Sequence, residues 1–236
     1  MRRHPAMAPH SANDPSDEHL GRLSATGRVE AFSDGVMAIA ITLLVLELKV
    51  PAPTDVGPDG LLGALAARWP SYIAYGAAFL TIGIIWLNHH TLLAKIARFD
   101  ARLHWLNLLL LFGVATLPFP TALLAEYVGE GGPNASVAAV SYGLLAILMA
   151  LPWGFMWRHL ADHPELLEPE YDASHARIEG RRGWLGVPIY VAATLISLVM
   201  PLLALVLYAA IAALYAITSQ GWTDPVQRTS EPEMRE

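Results

Sequence analysis

Five apolar runs, at residues 31–48, 69–93, 103–125, 137–157 and 184–217, are separated by short polar segments. A helix crossing about 30 Å of hydrocarbon needs roughly 20 apolar residues, and the first four runs fit one crossing each. The fifth would form about 50 Å of continuous helix, too much for one untilted crossing. Pro201 at its middle disfavours helix at Met200. The run is therefore expected to divide into two short helices joined by a tight turn, the alternative being one long kinked helix. The pattern predicts an all-α integral membrane bundle of six transmembrane helices, at about 29–49, 69–93, 103–127, 135–160, 183–200 and 201–218. These make up a membrane domain at 27–218. The polar flanks at 1–26 and 219–236 are expected to be disordered cytoplasmic tails.

Charge placement tests that count independently. With the N-terminus in the cytoplasm, all fifteen Lys and Arg residues except Lys49 and Arg68 fall on the cytoplasmic side, as the positive-inside rule requires. Both termini then lie inside, so the number of crossings is even, and six fits where five does not. Composition agrees: 54% of the 236 residues are hydrophobic and only 15% charged, against about a quarter charged in a soluble domain. The net charge of −6 resides largely in the tails and one acidic loop at 162–179, read as a solvated connection. No basic stripe points to nucleic acid. The absence of cysteine excludes disulfides, thiolate metal sites and cysteine catalysis, and leaves the redox compartment open. The N-terminus lacks the apolar core of a signal peptide. Trp69, Trp105, Trp153, Trp157, Trp184 and Trp222 lie near run ends, as interfacial anchors do.

The first run carries the chemistry. Arg28, Ser33 and Asp34 open an apolar helix, and ionisable groups at membrane depth mark functional positions. With Ile39 at zero on a helical wheel, Leu43 falls near about +40°, Leu46 near −20°, Thr42 near −60° and Phe32 near +20°. Asp34 falls near about −140°, on the other side. A mid-helix carboxylate costs about 2.5–3.5 kcal/mol on insertion scales, so the Asp34 face should turn into the protein. Candidate partners are Ser33, Asn88, His89, His90 or an arginine. The opposite stripe then meets lipid, another subunit or a pore axis.

The motif Arg28-x-x-x-Phe32-Ser33-Asp34, followed by an apolar helix ending in Leu-Glu-Leu-Lys-Val-Pro, resembles the transmembrane-protein-175 potassium channel family in its single-unit bacterial form. Trp86-x-x-His89-His90 in the second helix and Leu117-Pro118-Phe119-x-Thr121 in the third extend the resemblance over the membrane region. It implies a homotetramer of six-helix subunits in the plasma membrane, with the first helix of each lining a central pore. Its partners would be its own copies and membrane lipid, and potassium the permeant ion, with no cofactor. Carried onto this chain, Ile39, Leu43 and Leu46 would form the constriction with Thr42 beside it. Arg28, Phe32, Ser33 and Asp34 would lock the first helix, supported by Trp86, Asn88, His89 and His90.

No Thr-Val-Gly-Tyr-Gly segment occurs, so a carbonyl-ring filter of the usual potassium-channel kind is not to hand. His89 and His90, adjacent and about 100° apart on a helix, are poorly placed to chelate one metal. No phosphate loop, hydrolase elbow or paired-carboxylate site is present, so an enzyme is not expected. Two other readings stand beside the channel: a proton-coupled carrier in which Asp34 titrates, and a non-conducting membrane scaffold.

Overall fold

The structure, a computed structural model, describes residues 15–218. The expected C-terminal tail, Trp222 and the first fourteen residues lie outside the described residues. Within them the chain is helical apart from short linkers and one isolated β-bridge between Ile96 and Leu167. The helices are α1 (Pro15–Leu43), α2 (Gly60–Ala67), α3 (Trp69–Leu93), α4 (Ala101–Thr116), α5 (Pro118–Tyr127), α6 (Gly132–Asp162), α7 (Ala173–Ser197) and α8 (Pro201–Thr218). Four segments are long and apolar enough to cross a membrane: Thr26–Glu47, Trp69–Leu93, Ala101–Tyr127 and Gly132–Asp162. Pro201–Ile217 forms a shorter apolar helix. This is a multi-pass membrane protein.

Helix boundaries depart from the sequence pattern where local chemistry overrides hydropathy. Residues 15–26, expected as tail, continue α1. At its other end α1 tightens into a 3₁₀ turn, Leu44–Glu47. Pro118 divides the third run: it has no amide to donate, and the Leu117 amide bonds Val114 instead, at 3.2 Å. α7 begins at Ala173, ahead of the apolar run, because Asp172 caps it through the Ser174 and His175 amides. The fifth run turns at Leu198–Met200, with the Met200 amide on the Ile196 carbonyl at 2.9 Å, and restarts at Pro201.

The core is built around α6, which packs against α4, α5, α7 and α8. Small residues bring the backbones close. A Cβ on Gly154 would sit 2.6 Å from the Trp184 ring, so α6 meets α7 only through a glycine there. In α3, Ala77 and Ala78 are buried against neighbours, whereas a Cβ on Gly76 or Gly83 would meet open space. The close-packed small residues of α3 are thus its alanines rather than its glycines.

The acidic segment after α6 is not a loose solvated loop. Its Leu166 carbonyl accepts from the Ala97 and Arg98 amides, and the Glu168 amide donates to the Lys95 carbonyl. Lys95 is buried, with Nζ 3.3 Å from His175 Nε2, 5.3 Å from the Tyr171 ring centre and 5.8 Å from that of Trp157. Trp157 is therefore a core residue rather than an interfacial anchor, while Trp69 and Trp105 remain exposed. Beside it, Asp100 caps α4 through the Leu103 amide and meets His159 Nε2 at 2.6 Å.

Partial burial alone would raise the Asp100 carboxyl, but bonds from the Leu103 amide, His159 and the Arg102 amide outweigh it. They hold the carboxyl below its ordinary value of 3.8. A carboxylate depressed in the folded state stabilises above its unfolded pKa and loses that contribution as pH falls through the folded one. Thermal unfolding measured at falling pH should therefore show a loss of stability below about pH 4 that Asp100→Asn flattens.

Candidate functional site

On α1 the residues divide by face as the wheel requires. Ser33, Met37, Ala40 and Leu44 are buried against α3, α4 and α5. Ile39 (62% exposed), Leu43 (44%) and Leu46 (70%) lie bare on the opposite side, with Phe32, Thr42 and Arg28 also exposed. The 3₁₀ turn changes the angular step at its end, yet Leu46 stays on the outside. Among the described residues of one subunit, nothing covers the outer side of this oily stripe.

The buried face is held by polar rungs. Ser33 Oγ donates to the Val29 carbonyl at 2.8 Å and accepts from Asn107 Nδ2 at 3.0 Å. Asn107 Oδ1 lies 2.7 Å from His89 Nε2. Since the Asn107 oxygen has no proton to give, His89 must carry one on Nε2. The chain α3–α4–α1 is thereby closed through this imidazole, whose buried Nδ1 has no hydrogen-bond partner among the described residues. Nearer the surface, Trp86 Nε1 donates to Asp34 Oδ1 at 3.0 Å, and His90 Nδ1 meets Glu30 Oε1 at 2.7 Å. Glu30 and Asp34 are one helical turn apart on α1, as are His90 and Trp86 on antiparallel α3, so both rungs form in register.

Asp34 thus turns away from the stripe, and its partner is Trp86 rather than a histidine or arginine. Asn88 is not part of this network: it points to a cavity on the other side of α3. Two members, Asn107 and Glu30, were not singled out by the sequence pattern. Asn107 had a legible signal, a lone amide within an apolar run, where a polar side chain usually binds a neighbouring helix. Thr42 Oγ1 donates to its own helix, to the Ala38 and Ile39 carbonyls at 3.0 and 2.8 Å. Its proton is therefore committed inward, and its oxygen lone pairs are what it offers outward.

Fold and site together define an α-helical multi-pass membrane protein whose first helix is pinned by polar rungs on one face and bare on the other. The chain belongs to the TMEM175 family. The model of that family, described as endosomal/lysosomal potassium channel TMEM175, matches residues 28–118, the stretch that contains every rung. A potassium channel from Streptomyces collinus is 49% identical over 178 residues, covering 74% of this chain and 85% of that protein. The crystal structure of a lysosomal potassium-selective channel TMEM175 homolog from Chamaesiphon minutus superposes with a TM-score of 0.74 at 38% identity. That match covers 84% of this chain and 99% of the other. The human endosomal/lysosomal proton channel TMEM175 is 34% identical over 151 residues, only 29% of its length. The relatives are ion channels, not enzymes.

Proposed function

We propose that this chain is a potassium channel that conducts passively as a homotetramer of six-helix subunits, with α1 of each copy lining a central pore. The observation that carries this is the division of α1 itself. One face is fixed to α3 and α4 by hydrogen bonds, while Ile39, Leu43 and Leu46 stand exposed on a surface that none of the described residues covers. A stripe on the outside of a subunit can enclose a conduit only when copies converge. The potassium preference rests on the named relatives, and four-fold convergence on the family resemblance carried by Arg28, Phe32, Ser33 and Asp34.

In this assembly the three side chains form an apolar constriction, and a partly dehydrated ion passes it. Potassium gives up water more readily than sodium, so such a ring favours it without carbonyl coordination. Thr42 adds outward lone pairs beside the ring. Arg28 and Phe32, exposed on the isolated subunit, are placed to contact neighbouring copies. The ring closes by dewetting. The two remaining crossings are the apolar half of α7 and α8, which puts both termini on the cytoplasmic side of the plasma membrane.

Purified protein reconstituted with an outward potassium gradient should show a potassium flux that persists when an ionophore clamps the proton gradient. Asp34→Asn should keep that flux, since an amide oxygen still accepts from Trp86. A carrier cycling through the Asp34 proton would lose it, and a scaffold would show no flux in either form. Flux abolished by Asp34→Asn with folding intact would overturn the channel reading.

A further inference from the structure

Behind the rungs, between α3, α4, α6, α7 and α8, lies a cavity of about 560 Å³. That is within the roughly 300–1,000 Å³ typical of sites that bury a small molecule. Its walls are mainly apolar, with Ile85, Leu110, Met149, Ile189 and Ala212 contributed by five helices. Leu185 and Ile189 line it yet are exposed, so it opens on the side of the bundle that faces acyl chains. At the charged start of α7, Glu179 is 7% exposed and accepts from Arg182 Nη1 at 3.3 Å. The remainder of the Arg182 side chain is exposed. Arg177 and Arg181 are exposed on the same helix end.

We propose that this cavity is a binding site for one acyl chain of an anionic phospholipid, whose phosphate is held at the mouth by Arg182. The buried Glu179 carboxylate keeps the guanidinium at the rim, and the guanidinium's outward N–H groups are donors of the geometry that phosphate accepts. Apolar walls below a cationic rim, at the end of a membrane helix, match a lipid with its head at the surface and its chain inside. A zwitterionic lipid fits the walls equally well but gains less from the rim. The site requires no conduction, so it stands or falls separately from the channel reading.

Trp153 lines the cavity and reports on it. The full chain is reconstituted in vesicles containing phosphatidylglycerol or phosphatidylcholine with brominated acyl chains, which quench tryptophan on contact. The Trp153 signal is the difference between the native protein and Trp153→Phe. Its quenching should favour phosphatidylglycerol about fivefold, the scale of one arginine at an anionic headgroup. Arg182→Gln should remove the preference. Raising the salt concentration should weaken it in the native protein, an arm that holds even where the variant fails to fold. Equal quenching by the two lipids would reduce the cavity to ordinary lipid contact and overturn the proposal. So would a preference indifferent to salt or, in folded Arg182→Gln, to the loss of the guanidinium.

Discussion

Ile39→Asn is expected to raise unitary potassium current several-fold and to bring the potassium-to-sodium permeability ratio towards one. Ile39 is 62% exposed on the subunit, so little packing is lost and the substitution should leave the fold unchanged. In the proposed assembly the same position faces the shared axis. An isoleucine ring offers a passing ion no ligand, and the barrier is the water it must shed. An asparagine ring replaces part of that water with amide oxygens and keeps the constriction wet. Each 1.4 kcal/mol removed from a barrier speeds passage about tenfold, so even a partial gain is easily seen. Selectivity falls because the amides lower the penalty most for the ion that was hardest to dehydrate. Reversal potentials under bi-ionic potassium and sodium, with single-channel amplitudes, measure both effects. Permeation ratios that stay unchanged would place the constriction elsewhere.

The site was legible on α1 because periodicity and the cost of a buried acid both act along one helix. Ile39, Leu43 and Asp34 could be assigned to opposite faces from spacing alone, and the structure puts them there. Partners across helices were less legible. Asp34 meets Trp86 rather than the neighbouring histidines, because a residue one turn from His90 on α3 faces the residue one turn from Glu30 on α1. That register is set by how the helices pack, which hydropathy does not encode. Asn88 shows the same limit: it is adjacent to His89 in sequence, but 100° of helix turns it to the cavity. Hydropathy also misread the ends of helices. Asp172 and Pro118 moved boundaries through capping and a missing amide, which are chemical rather than hydrophobic signals. The Lys95 and Asp100 clamp was hidden because its partners lie some sixty to eighty residues away in the chain.

The second large effect is expected at Asn107 on α4, which is not one of the exposed stripe residues of α1. It is buried and is the sole bridge between Ser33 on α1 and His89 on α3. Asn107→Leu keeps its approximate size and removes both bonds at once. Ser33 still has the Val29 carbonyl, but the His89 Nε2 proton is left in an apolar surrounding beside an Nδ1 that already lacks a partner. A buried group stripped of its hydrogen bond costs about 1–3 kcal/mol, and here a buried donor loses its acceptor. The loss should register as a clear drop in the thermal unfolding midpoint of the purified protein. Because α1 is then held chiefly by the more exposed Trp86 and His90 rungs, potassium flux should fall as well, although no stripe residue has changed. A cycle with His89→Phe separates the causes. If the bridge acts as one unit, the double variant is less destabilised than the two single costs added together, by about 0.5–3 kcal/mol. Strict additivity would mean that each side chain stabilises the bundle on its own, and that α1 is held by packing rather than by a polar lock.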